Sequence, residues 1–176
     1  MRNTAFFAAG LVLIFVQAQL FRLMTWVHVA GLIPSLVLPL ILFMGVHEYS
    51  LARGASVSFV LGYATDLIGI APVGLYTFTY VAIFLLARGA GVRLAAQTMM
   101  MQVALGLAFT LVHSVMILVL LAIFGRDPWV PRALYPLTIP HVLATGAVAP
   151  LIFRLARRLH SATVSAPRAE IGGGRA

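Results

Sequence analysis

The sequence predicts an all-α integral membrane protein that folds as one compact bundle of about six transmembrane helices. Of its 176 residues, 62% are hydrophobic and only 9% are charged, whereas a soluble domain carries about 25% charged residues. The apolar residues fall into runs of about 20, the length at which a helix crosses the hydrocarbon layer. Ten-residue segments of alternating polarity, typical of a membrane β-barrel, do not occur.

Each apolar run predicts one helix, and the short link between the third and fourth runs predicts a hairpin. Residues 1–160 form the predicted six-span bundle. Residues 161–176, rich in Ser, Ala, Gly, Pro and Arg, are predicted to be a disordered cytoplasmic tail. Prolines predict that the second and sixth spans are kinked or begin late; these are Pro34, Pro39, Pro136, Pro140 and Pro150. The predicted spans are 4–23, 32–49, 52–70, 71–90, 94–124 and 134–155.

The arginines predict the orientation, because positively charged loops stay in the cytoplasm. Six spans place nine of the 12 basic residues on the side of both termini, which we therefore predict to be cytoplasmic. Trp26 and Trp129 then lie at the outer interface, where indole rings prefer to sit. A cluster at helical spacing after the last span is predicted to anchor the topology and to attract anionic headgroups; it contains Arg154, Arg157 and Arg158. An acidic cytoplasmic partner is the alternative ligand for this cluster.

Motifs for catalysis, metals or nucleic acid are not found in the sequence. There are no cysteines, and "HE" at His47 lacks the second histidine of a metalloprotease motif, because Leu51 occupies that position. His113 is predicted to be a neutral histidine that is hydrogen-bonded between helices, and His141 to be structural. We expect few polar residues to face inward. The sequence thus predicts a protein without cofactor or metal that is not an enzyme, and no groove for nucleic acid.

Asp66 is the sharpest feature, since a carboxylate inside a span is costly unless it faces protein, water or a partner. Gly62, one turn earlier on the same face, leaves room for a neighbouring helix backbone. Pro72 and Gly74 form the bend that begins the fourth span. Asp66 is therefore expected to accept hydrogen bonds from a neighbouring helix end or an outer loop, as a partner contact or conformational latch. The alternative is an interfacial carboxylate that reaches headgroups and water.

The element G-x-x-x-D-L, followed by a glycine eight residues after the acid, resembles the MreD family of bacterial rod-shape membrane proteins. The matching motif residues are Gly62, Asp66, Leu67 and Gly74. A proline opening the second span and a G-x-x-x-P element before Ile-Phe in the last span extend the resemblance, at Pro34, Gly146, Pro150, Ile152 and Phe153. The chain departs from the family pattern at Gly69 and Ile70, where Ser-Gly is frequent, and at Thr145, where asparagine is common.

The resemblance implies a non-enzymatic scaffold in the bacterial inner membrane. Proteins of this family act with a bitopic MreC-like partner and, indirectly, with the MreB-like cytoskeleton. Together they organise the synthases of lateral peptidoglycan growth, RodA and its transpeptidase. The implied fold is similar to the membrane subunits of energy-coupling-factor transporters. A solute-binding subunit of such a transporter is therefore the alternative function.

Overall fold

A computed structural model describes residues 2–26, 33–47, 50–69, 72–90, 98–125 and 129–164. The protein is all-α: the described residues form six helices and contain no strand. The helices are α1 (Arg2–Trp26), α2 (Val37–Val46), α3 (Leu51–Ile68), α4 (Leu75–Gly89), α5 (Met99–Phe124) and α6 (Trp129–Val164).

Three helical segments are long and apolar enough to cross a membrane: Thr4–Leu23, Met99–Phe124 and Arg132–Thr163. The other helices are shorter or less apolar than the sequence predicts. α2 has only 10 residues and α4 has 15. The predicted hairpin is present, because α3 and α4 pack against each other, as do α5 and α6.

α2 begins late, as its prolines predict. Pro34 precedes the helix, and Pro39 is its third residue. Because the first four N–H groups of a helix have no intrahelical partner, a proline there removes no helix hydrogen bond. α6 does not begin late: it begins at Trp129, before the predicted span of 134–155, and continues through its prolines to Val164. Residues 161–164, which we assigned to the disordered tail, are thus helical, and 165–176 lie outside the described residues.

α2 is the centre of the fold. All ten of its residues are buried, and it contacts each of the five other helices. Phe43 lies between α1 and α6, with its ring centroid 6.2 Å from that of Phe6 and 5.7 Å from that of Phe153. The core is therefore built around the shortest helix, while the long helices expose many of their apolar side chains.

Candidate functional site

Asp66 lies near the C-terminal end of α3 and is buried, with only 2% of its surface exposed. Its carboxylate accepts hydrogen bonds from the first turn of α4. The backbone N–H groups of Gly74 and Thr77 donate to Oδ2, each over 3.0 Å, and the N–H of Tyr76 donates to Oδ1 over 2.9 Å. The Thr77 hydroxyl also donates to Oδ2, over 2.6 Å. A side chain of one helix thus caps the next helix in the chain.

The first turn of α4 needs such a cap because its own N-cap residue is Gly74, which has no side chain. Unpaired N–H groups at a helix start are costly away from water. The negative charge of Asp66 also faces the positive end of the α4 dipole. The carboxylate therefore satisfies the backbone of α4 and complements its charge at the same time.

Two glycines make this geometry accessible, each for a different reason. Gly74 adopts a left-handed conformation with φ of 101°, which is unfavourable for other residues. Gly62 lies against the backbone of α4: a Cβ there would be 2.5 Å from Thr77 Cα and 2.7 Å from the Tyr76 carbonyl oxygen. We call Gly62, Asp66, Gly74 and Thr77 the α3–α4 clamp.

The clamp accounts for three of the four motif residues, which the structure brings together through α3 and α4. The Asp66 carboxylate contacts a neighbouring helix end, one of the expected arrangements, rather than headgroups and water. Leu67 is different, because its side chain is 62% exposed and points away from the clamp. Thr77 was not singled out by the sequence, because helix-start signals concern Ser, Thr, Asp or Asn at the N-cap and Glu or Gln three residues later, and Thr77 fits neither.

Pro34 belongs to a second polar arrangement, the non-helical lead-in of residues 33–36 before α2. The Nδ1–H of His141 donates to the Ile33 carbonyl over 2.6 Å. The Ser35 N–H donates to Thr145 Oγ1, and the Leu36 N–H donates to Gln17 Oε1, both over 3.0 Å. Side chains of α1 and α6 therefore pair the lead-in's backbone, and Pro34 has no N–H to pair.

The glycine of the last-span motif is a packing residue. A Cβ on Gly146 would collide with the Leu107 side chain, and one on Gly106 would be 2.7 Å from the Ala149 Cβ. These small residues let α5 and α6 approach closely. Pro150 is buried one turn after Gly146, inside α6.

The arginine cluster lies on the surface of the final turns of α6. Arg154, Arg157 and Arg158 are exposed, and Arg154 Nη2 lies 3.6 Å from Met99 Sδ at the start of α5. The only carboxylate side chain among the described residues, Asp66, belongs to the opposite end of the bundle. In the described part of the chain the cluster has no carboxylate neighbour, and it remains available to anionic ligands.

His113 departs from its predicted hydrogen-bonded state. It is 2% exposed, and within the described residues neither ring nitrogen has a hydrogen-bond partner. Its ring centroid lies 6.0 Å from that of Tyr76 and 5.5 Å from that of Tyr80. The Ser58 and Thr110 hydroxyls are also buried without a partner in this part of the structure. More polar groups face inward than the sequence predicts.

We expect His113→Phe to raise the free energy of unfolding by about 1 kcal/mol or more, because it removes two unpaired polar atoms and keeps a ring against Tyr76 and Tyr80. Unfolding of the purified protein by sodium dodecyl sulfate in mixed micelles measures the change. His141→Phe is the matched control and should destabilise, because it removes the bond to Ile33. Equal destabilisation by both substitutions would contradict the expectation.

The hydrogen bonds described above join helices to one another. No group of three His, Asp or Glu side chains in the described ranges could hold a metal ion. His47 Nδ1–H donates to the Phe43 carbonyl over 3.2 Å at the end of α2, while Glu48 lies outside the described residues. The buried acid has backbone and hydroxyl donors as its partners.

Fold and site together define an all-helical protein with membrane-compatible helices and an internal helix clamp. No model of a protein family matches the chain, and neither does a curated protein or a solved structure.

Proposed function

We propose that this protein is an integral membrane scaffold of the bacterial rod-shape (elongation) complex, and that it organises lateral peptidoglycan synthesis. The observation that carries the proposal is the α3–α4 clamp. The motif residues that resemble the MreD family, Gly62, Asp66 and Gly74, act as one structural unit. The Asp66 carboxylate holds α3 and α4 together. Such a structural role is what we expect in a scaffold that binds its partners through its surface.

A six-span threading through the inner membrane is part of the proposal. α2 is only about 15 Å long at 1.5 Å per residue, short of the 30 Å hydrocarbon layer. Its lead-in of residues 33–36 adds up to about 13 Å. Non-helical backbone is tolerated at membrane depth where protein groups pair it, as the side chains of Gln17, His141 and Thr145 do here.

Helix-end contacts support the alternating direction of the spans. The end of α6 meets the start of α5 through Arg154 and Met99. The end of α2 meets the ends of α4 and α6, through Gly45 with Ala87 and Phe43 with His160. The arginine-bearing ends thus gather on one side, which we assign to the cytoplasm together with both termini. The α3–α4 clamp then belongs to the outer leaflet.

The resemblance supplies the partners of this proposal. A bitopic MreC-like protein is the direct partner, and the MreB-like cytoskeleton, RodA and its transpeptidase are reached through it. Leu67 is the one motif residue that is not part of the α3–α4 clamp. Its exposed side chain lies at the end of α3 that we assign to the outer leaflet. We propose that Leu67 contacts the bitopic partner.

We expect Leu67→Ala to weaken co-purification of the bitopic partner in mild detergent at least several-fold, because the substitution removes exposed contact surface. Stability of the purified protein should stay within about 0.5 kcal/mol, as is usual for surface substitutions. Rod-shaped cells depending on the variant should become rounder at normal protein level.

Leu111→Ala is the matched control, since Leu111 is also exposed (49%) but lies on α5. It should retain both the partner and the rod shape. If wild-type protein fails to recover a bitopic partner, the proposed function is wrong. If wild-type protein recovers the partner and Leu67→Ala recovers it equally well, the contact assigned to Leu67 is wrong.

A solute-binding membrane subunit of an energy-coupling-factor-type transporter is the second candidate. Unpaired buried groups among the described residues favour it: the hydroxyls of Ser58 and Thr110 and the ring of His113. They come from α3 and α5, and polar groups from more than one element are what a solute site requires. A vitamin-sized molecule purifying at stoichiometric ratio, together with an ATPase, would establish this function instead.

A further inference from the structure

The arginine cluster near the end of α6 is a concentrated positive charge that neither the clamp nor the scaffold role uses. Arg154, Arg157 and Arg158 are exposed, and their spacing of three and four residues places them on one face of the helix. Like charges at this spacing repel one another. An anion bound between them relieves the repulsion, and an anion with two charges relieves it better than an anion with one.

The guanidinium groups of the cluster have little to bind within the protein. The Met99 sulfur, 3.6 Å from Arg154 Nη2, is a thioether and a weak acceptor. Among the described residues, no other acceptor pairs with the Arg154 guanidinium, and none pairs with those of Arg157 and Arg158. Each guanidinium has five N–H donors and can bind a phosphate through two parallel hydrogen bonds. The cluster therefore has donors for more than one phosphate.

An apolar stripe leads from the cluster along the same face of α6. Leu143, Ala147 and Leu151 precede Arg154 by 11, 7 and 3 residues, the spacing of side chains that share a helical face. All three are exposed, Leu143 by 58% and Leu151 by 64%. They belong to the segment Arg132–Thr163, which is long and apolar enough to cross a membrane. The stripe extends about 16 Å along the helix axis from Arg154, so this face joins hydrocarbon contacts to cations.

We propose that this face of α6 binds an anionic phospholipid with two phosphates, of the diphosphatidylglycerol type. The three arginines hold the phosphates, and the apolar stripe contacts an acyl chain. Side chains three or four positions apart on a helix have Cβ atoms about 5–6 Å apart, which suits two phosphates joined by a three-carbon bridge. The site is independent of which partners the scaffold has.

An acidic protein fits this face less well than a phospholipid does. The carboxylates of a soluble partner complement the arginines, but such a partner reaches only the end of α6 and leaves the apolar stripe to the bilayer. A phospholipid complements both parts, because its phosphates and its acyl chains are joined in the same order as the arginines and the stripe. Basic clusters next to a membrane-spanning helix are typical binding sites for anionic headgroups.

The experiment measures lipid retention on the full chain by native mass spectrometry after exchange into detergent. The probes are diphosphatidylglycerol, phosphatidylglycerol and phosphatidylcholine with identical acyl chains. Wild-type protein should retain them in that order. Arg154→Gln and Arg158→Gln should each lower retention of diphosphatidylglycerol about fivefold, the factor that one cation near the membrane surface provides. Retention of phosphatidylcholine should not change, which separates loss of charge recognition from loss of acyl-chain contact.

Arg53→Gln is the matched control, since Arg53 is also exposed but belongs to the start of α3. It should retain all three lipids as the wild type does. Equal retention of diphosphatidylglycerol and phosphatidylglycerol by the wild type would overturn the proposal, as would an equal loss in Arg53→Gln or unchanged retention in both α6 variants. A polyglutamate peptide that displaces diphosphatidylglycerol at equimolar concentration would identify an acidic protein as the ligand instead.

Discussion

Asp66→Ala is expected to lower the free energy of unfolding by about 3–5 kcal/mol. The substitution leaves three backbone N–H groups and the Thr77 hydroxyl without their acceptor. Each unpaired buried donor costs about 1–3 kcal/mol, and relaxation of the helix start recovers part of it. Unfolding by sodium dodecyl sulfate in mixed micelles provides the measurement.

A graded series of substitutions tests whether loss of the α4 cap causes the loss of stability. Thr77→Val removes only the hydroxyl bond and should cost about 1–2 kcal/mol. Asp66→Asn keeps one acceptor oxygen and loses the charge that faces the α4 dipole, so its cost should lie between those of the other two substitutions. If all three variants were as stable as the wild type, the carboxylate would not be the cap of α4.

Gly62→Ala is expected to cost roughly 2–4 kcal/mol although it adds a single methyl group. The methyl would lie 2.5 Å from the Thr77 Cα and 2.7 Å from the Tyr76 carbonyl oxygen. Backbone atoms cannot rotate aside as a flexible side chain can. α3 and α4 would therefore have to separate, and the separation would stretch the bonds to Asp66. The same denaturation measurement detects the loss.

Two other glycines provide the comparison for Gly62→Ala. A Cβ on Gly89 meets nothing within 4 Å, so Gly89→Ala should stay within about 0.5 kcal/mol of the wild type. Gly74→Ala also meets nothing within 4 Å but has a φ of 101°, and it should cost about 1–2 kcal/mol through backbone strain alone. A Gly62→Ala variant no less stable than Gly89→Ala would rule out the close approach of the two helices.

The clamp could be predicted in outline because its parts are close in sequence. Gly62 and Asp66 are one helical turn apart, and Gly74 follows at the bend into α4. Helical spacing and turn chemistry, both local properties, therefore place them on one face and near one helix end. The direction of Leu67 follows from the same spacing, since it is adjacent to Asp66 and cannot share its face.

The lead-in to α2 could not be predicted, since its bonds join distant parts of the chain. The residues joined by the His141–Ile33 bond are 108 positions apart, and those joined by the Thr145–Ser35 bond are 110 apart. Hydropathy gives no sign of such pairs, and it also leaves helix ends undefined inside an apolar run. For the same reason the sequence predicts a longer second helix, over 32–49, than the structure has at Val37–Val46.

The dependence of α2 on α1 and α6 has a consequence for biosynthesis. Ribosomes release the chain from its first residue onward, so α2 is made long before His141 and Thr145 exist. Until then the carbonyl of Ile33 and the amide of Ser35 lack their final partners, and the core around α2 cannot pack completely. Chains truncated ahead of α6 should accordingly be cleared by membrane proteases, while the α3–α4 hairpin can close as soon as it is made.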